Sequence, residues 1–308
     1  MSVLGPHGLS LFMPLLDDYT AHLATVHNSA DLNGPHADWI WDRRNEVAAT
    51  VAALNQELGF VGAGQFQPHI MTTSVGDASG LLFVSANPGW SRIPNAVEDA
   101  FRRQSRAANS EFCRNFFTVF PNEIGGNGWW SKALLLAHLV QVGSPAPGQP
   151  IIAPAQRWDW AQARGVASRV GNVDLIPLHS SGDKFGTLQG ANLNPARQTL
   201  LDVATATLHM VLHLRPAPEL TFVGSALGAP ITDRLCEELN MMPRDTPEED
   251  VGAPLWSQLH RWVHPDTGAK VVTFPQQVFA GFAAVNLPRG FMLPLASRLR
   301  AFIDEPVS

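Results

Sequence analysis

Between positions 43 and 58, Val47, Val51, Leu54 and Leu58 recur every three or four residues. That spacing predicts a helix with one apolar stripe, and Gly59 supplies its stop. The pattern changes at Leu81-Leu82-Phe83-Val84, a run of consecutive apolar residues without alternation. Such a run predicts a short strand covered on both faces. Three further segments read the same way: Val173-Asp174-Leu175-Ile176, Leu220-Thr221-Phe222-Val223 and Lys270-Val271-Val272-Thr273-Phe274. Helical segments are predicted at 94–109, 129–140, 157–169, 195–214, 230–239 and 295–303. Strands alternating with helices predict an α/β fold, a three-layer α/β/α arrangement around a central four-stranded parallel sheet. Right-handed crossovers favour that topology. Residues 1–42 are expected to wrap the core as an N-terminal extension, and 43–308 to form a single α/β domain. The stretch 241–256 reads as an exposed excursion.

Composition narrows the function without naming it. Hydrophobic residues make up 45%, and 21 basic against 27 acidic side chains leave a net charge of −6. Global attraction to nucleic acid is thereby disfavoured, while a local basic groove remains open. Arg92, Arg102, Arg103, Arg106 and Arg114 lie close together in the chain, either as a solvated helix face or as a phosphate-contacting one. Two cysteines, Cys113 and Cys236, are too few for a four-thiolate cluster and read as small buried thiols. His209 and His213, like His260 and His264, have helical spacing but no recognisable third ligand. No metal and no cofactor are expected. Without a cleavable leader or a long apolar span, a cytoplasmic protein is expected, with no membrane partner and the monomer favoured.

Ligands of open α/β sheets sit beyond the carboxyl ends of the strands. The first such end reads Ser85-Ala86-Asn87-Pro88-Gly89-Trp90. Pro88 fixes one dihedral and Gly89 permits a reversal, so the turn either presents the Asn87 amide or lets it cap its own backbone. The second end holds Asp174, His179, Ser180, Ser181 and Lys184; the third holds Gly224 and Ser225; the fourth holds Pro275, Gln276 and Gln277. Neither a nucleophile elbow nor a phosphate loop is present.

In order, these four strand ends resemble the uracil-DNA glycosylase superfamily. Phe83-Val84-Ser85-Ala86-Asn87-Pro88-Gly89 is similar to the first motif of its mismatch-specific and thymine-type members. The resemblance implies that Asn87 positions the attacking water, with Ala86, Pro88 and Gly89 shaping the pocket. It places the base-reading residue near Asp174, where the family carries an amide, and offers Phe101 as the platform that stacks the flipped base, or else as a helix core residue. The segment Phe274-Pro275-Gln276-Gln277 stands where the family's second motif enters the minor groove, with Phe274 in place of the usual histidine. Arg92 and Lys184 join that loop as expected DNA contacts. Ser180, Gly224 and Ser225 line the pocket in this reading, and His179 serves as a polar auxiliary or as a loop-stabilising residue. An ionised Asp174 would only accept hydrogen bonds, which suits a base with exposed donors, such as a modified cytosine.

The expected function is therefore a DNA glycosylase that hydrolyses the N-glycosidic bond of a flipped, modified or mismatched base. Two other classes remain open. One is a non-catalytic nucleic-acid or nucleotide-binding protein; the other is a hydrolase using Ser180 or Ser181 with His179.

Overall fold

The computed structural model describes residues 13–72, 74–86, 92–120, 128–142, 166–181, 194–225, 229–244, 259–275 and 289–307. Helices flank a central mixed sheet. Its strands are β1 (Ser74–Gly76), β2 (Leu81–Ser85), β3 (Val170–Asp174), β4 (Leu220–Ser225), β5 (Met242–Arg244), β6 (His260–Val263) and β7 (Lys270–Pro275). They lie in the order β1-β3-β2-β4-β7-β6-β5. Each of the four predicted strands is present, as β2, β3, β4 and β7. The expected purely parallel four-stranded sheet becomes a seven-stranded mixed one, because the short strands β1, β5 and β6 add to it. β4 and β7 run parallel, whereas β6 is antiparallel to both β7 and β5.

The helices used below are α1 (Pro14–Leu23), α2 (Val47–Leu58), α3 (Arg92–Arg102), α4 (Arg106–Val119), α5 (Gly128–Val142), α6 (Pro195–Leu212), α7 (Ala229–Glu238) and α8 (Arg289–Asp304). No helix among the described residues is long and apolar enough to cross a membrane.

By its internal contacts the chain divides into two compact units. The first comprises Met1–Val75, Val84–Arg114 and Asn172–Pro216; the second comprises Gly76–Phe83, Asn115–Gly171 and Ala217–Ser308. In the first, α1, α2 and α6 pack together. The predicted stripe of α2 is buried at Val47, Val51, Leu54 and Leu58, and Gly59 ends the helix at φ 67°, a left-handed conformation that glycine adopts without cost. Pro195 opens α6, whose N-cap Asn194 accepts a hydrogen bond from the Arg197 N–H. Residues 13–42, expected as a wrapped extension, form α1, a π-helical turn at Leu32–His36 and a short helix at Ala37–Asp42. Burial holds the His36 imidazole down to about 3.

The second unit explains why β3 begins three residues before its predicted start. A Cβ on Gly171 would meet the Asp77 carbonyl oxygen at 2.9 Å. Glycine is there for close backbone approach within a strand, not to make a turn. Beside β4 and β7, α7 covers the sheet, and Thr273 donates to Asp233 at 2.6 Å to fix it there. α5 packs on α8. Lys270 Nζ reaches the last carbonyls of α8, lying 2.6 Å from Ile303 O, where a cation complements the helix terminus.

The predicted helix at 94–109 is instead two helices, α3 and α4, separated by residues 103–105. Ser105 Oγ accepts a hydrogen bond from the Ala108 N–H at 3.1 Å, so this side chain starts a new helix where the apolar spacing alone suggested continuation.

One side chain organises the first unit beyond its helices. Asn55, buried on α2, donates from Nδ2 to Phe66 O (3.0 Å) and accepts from Phe66 N at Oδ1 (2.8 Å). Both backbone groups of Phe66 are thereby satisfied by one amide. Asn55→Ala leaves them buried without a partner and is expected to cost about 3 kcal/mol. Denaturant unfolding measures this as a lower midpoint at unchanged slope; an unchanged midpoint would show that the clamp carries no weight.

Candidate functional site

Extended backbone builds the site within the first unit. Beyond the end of β3, Leu175 N donates to Ser85 O and Ile176 N to Ala86 O, each at 2.9 Å. Ala86, the last described residue before position 87, is thus fixed beside Leu175 and Ile176. The next described element, from Arg92, is α3, which carries Glu98, Phe101 and Arg102. Residues 66–72 run alongside the continuation of β3: Gln67 N donates to His179 O (2.8 Å), Thr72 N to Pro177 O (3.1 Å), and Phe66 forms an antiparallel bridge with Ser180.

Arg102 sits at the centre, 1% exposed. Its Nε donates to Asn109 Oδ1 (2.8 Å), Nη1 to Thr72 Oγ1 (2.8 Å) and Nη2 to Met71 O (2.7 Å), and the guanidinium carbon lies 4.5 Å from the Phe112 ring centre. The arginine-rich stretch is not one uniform solvated face. Arg102 is core, Arg103 pairs with Asp99 at 2.6 Å, and Arg106 pairs with Asp42.

Around Arg102 stand His179, Thr72, Glu98 and Asp99. His179 Nε2 is 2.9 Å from Thr72 Oγ1 and 3.8 Å from Glu98 Oε1. Its ring centre is 5.7 Å from that of His69. The two adjacent carboxyls on α3 differ. Burial works against the Asp99 charge, but hydrogen bonds from His69, Arg103 and the Ile70 N–H hold its carboxyl well below the usual range. Burial pushes the Glu98 carboxyl up, against the opposing charge of Arg102.

Asp174 is 3% exposed. Burial pushes its carboxyl up to about 8; Asn172 beside it opposes the shift and the charge of Glu98 adds to it. The Asn172 Oδ1 in turn accepts from Ser85 Oγ at 2.9 Å. At neutral pH Asp174 therefore holds its proton. A neutral carboxyl offers one O–H donor and a carbonyl acceptor, the same pair of functions as an amide, where an ionised one would only accept.

Of the other predicted site residues, Ala86, His179 and Ser180 are buried, and Phe101 is half-buried. Gly224 lies in β4 opposite Phe274 of β7. Asn87, Pro88, Gly89, Lys184, Gln276 and Gln277 lie outside the described residues, and only the backbone of Arg92, Ser225, Phe274 and Pro275 is described. Glu98 and Thr72 carry chemistry that the sequence reading passed over, and the core role of Arg102 was not foreseen. The i,i+4 spacing of Glu98 and Arg102 was the available signal.

Among the described residues no group of three or more His, Cys, Asp or Glu side chains is arranged to hold a metal ion. Cys113 and Cys236 are buried free thiols, as expected. A groove of about 570 Å³ opens on the last turns of α2 and residues 59–68, lined by side chains such as Val51, Phe60, Gln65 and Phe66. It contains no ionisable side chain, so it is no candidate for acid–base chemistry. No known protein family, curated protein or solved structure matches the chain.

Because folded Asp174 keeps a proton that the unfolded chain releases near 3.8, the folded state binds more protons between about 4 and about 8. Stability accordingly falls as pH rises through that window, by about 1.4 kcal/mol per unit for one fully coupled group. Asp174→Asn has no such proton to retain. Its stability relative to the wild type is expected to rise from pH 5 to pH 8 and then level off, as read by unfolding at several pH values. Parallel curves for the two proteins would show an ordinary Asp174.

Proposed function

We propose that the protein is a DNA base-excision glycosylase, an N-glycosyl hydrolase acting on a modified or mismatched base. The observation carrying this reading is the pairing of Ser85 and Ala86 with Leu175 and Ile176, which holds the residue before Asn87 next to the segment that follows the neutral, buried Asp174. The order of the strands supports it: the four predicted strands lie as β3-β2-β4-β7, so the first has the second and the third as its neighbours. That is the doubly wound layout in which ligands collect at strand ends.

In this reading the target nucleotide leaves the stack and enters the pocket. Protonated Asp174 reads the edge of the base with one donor and one acceptor, in place of the amide expected from the resemblance. This pair suits the N3–H and O4 of uracil or thymine as well as the N3 and N4 amine of a cytosine derivative. Asn87 orients a water below the sugar carbon while the glycosidic bond lengthens. The loop from Phe274 to Gln277 supports the opened duplex, with Arg92 and Lys184 on the phosphates.

Incubation with oligonucleotide duplexes and single strands carrying uracil, thymine mispairs or modified cytosines, followed by alkali, detects abasic sites. Product on at least one of them is expected, with Asn87→Ala slower by about 100-fold. Folded protein that leaves every substrate intact ends the proposal. For a base read through its acceptor, excision by the wild type is expected to fall above about pH 8 as Asp174 ionises. Asp174→Asn, which keeps a donor at every pH, should lack that fall.

A further inference from the structure

Arg102, Arg103 and Arg106 each meet a carboxylate. Arg43 and Arg44 meet none among the described residues, and what holds them is indole. The short helix Ala37–Asp42 carries Trp39 and Trp41, and the turn that ends it brings an arginine back to each, at i,i+4 and i,i+3. The guanidinium carbon of Arg43 lies 4.1 Å from the Trp39 ring centre, and that of Arg44 lies 3.6 Å from the Trp41 ring centre. Arg44 also donates from Nη1 to Trp41 O at 2.8 Å. No hydrogen bond among the described residues uses the Arg43 guanidinium.

The platform under them is rigid and uncharged. His22 stacks on Trp39 at 4.8 Å and 6° from parallel, and His36 on His22 at 5.1 Å and 3°. Burial, and then the Arg43 charge, lower the His22 imidazole, and burial holds His36 down to about 3. Near neutral pH the charge of this stack is therefore that of Arg43. The acids on the same helix, Asp38 and Asp42, are both engaged by Arg106. All these residues belong to the first unit, and Arg43 and Arg44 are half-buried, so part of each stays within reach of solvent.

We propose that Arg43 and Arg44 form a docking surface for single-stranded nucleic acid, bonding two neighbouring phosphodiesters and stacking on unpaired bases. Shape and charge choose this partner. A guanidinium held over an indole keeps its N–H donors for other groups, and phosphate oxygens match their fork. Its second planar face accepts another planar group, which an unpaired base supplies. The stacks already hold both side chains, so binding does not have to order them. With a net charge of −6 on the whole chain, such attraction has to be local. The inference adds a strand contact to the glycosylase reading and stands with or without excision.

The test is fluorescence anisotropy of a labelled DNA single strand of about 12 nucleotides with the full chain, between about 50 and 200 mM salt. Arg43→Gln combined with Arg44→Gln is expected to weaken binding about 10-fold at the lower salt. It should also reduce the slope of log K against log salt by about 1.4, the share of two single-strand phosphates. Arg43→Lys combined with Arg44→Lys keeps the charge and should keep the slope, with a loss of about 3-fold in affinity as planar stacking goes. Arg300→Gln, which removes an arginine paired with Asp304 in the other unit, should leave both unchanged. A wild type that does not bind the strand at the lowest salt overturns the proposal, as does a glutamine pair with wild-type affinity and slope. Tighter binding of a duplex of the same sequence also rejects it. Displacement of the strand by polyphosphate at equal phosphate concentration rejects it too, because the arginines would then be a general anion patch. Should the glutamine pair not fold, the lysine pair decides, and wild-type affinity there ends the proposal. Strand binding that depends on these arginines, without excision of any base, ends only the glycosylase reading. Excision by a glutamine pair that binds normally ends only this one.

Discussion

The buried guanidinium of Arg102 is the constraint on which the first unit's chemistry depends. Taking such a group out of water costs several kcal/mol, and it is tolerated only when the donors find partners inside. Arg102 finds them in Met71 O, Thr72 Oγ1 and Asn109 Oδ1. Each partner is then held in turn: Asn109 donates to Ala37 O at 2.8 Å, and Thr72 meets His179 Nε2. One cation thereby fixes α3, the start of α4, the short helix Ala37–Asp42, the 70–72 segment and the histidine after β3. Asn55 performs the neutral counterpart at Phe66, so the 66–72 segment is anchored at both ends.

Within that frame, identical functional groups acquire different properties. Asp99 is held ionised by its neighbours, Glu98 is half-buried beside Arg102, which pairs with it at 3.4 Å, and Asp174 is buried deeply enough to stay neutral. Pairs of carboxyls pushed apart in this way are what acid–base sites are made of. Structural ion-pair networks, such as Arg103 with Asp99, shift carboxyls as well.

Much of the fold could be read from local pattern. The stripe on α2, the unbroken apolar runs of β2 and β4 and the Pro195 start of α6 all report physics contained within a few neighbouring residues. What escaped depends on partners distant in the chain. The early start of β3 at Val170 rests on the close approach of Asp77 O to Gly171, and the break after Arg102 rests on one serine hydroxyl. β5 and β6 are short, and Pro243 in β5 argues against a strand when read alone. The site was legible in part: Asp174 and His179 were marked by their place at a strand end. The proton on Asp174 was not, because it comes from burial, and neither was Glu98, whose neighbours 69, 179 and 174 are assembled only by folding.

The interleaving of the two units has a consequence for how the protein is made. The chain passes from one unit to the other after Val75, Phe83, Arg114, Gly171 and Pro216. On a ribosome the first unit therefore lacks its last segment until residue 216 has emerged, and the second is unfinished for longer still. Neither unit can be completed early and set aside, as successive domains usually are. Nascent chains must wait with apolar runs such as Leu81-Leu82-Phe83-Val84 short of their later partners until synthesis has passed them.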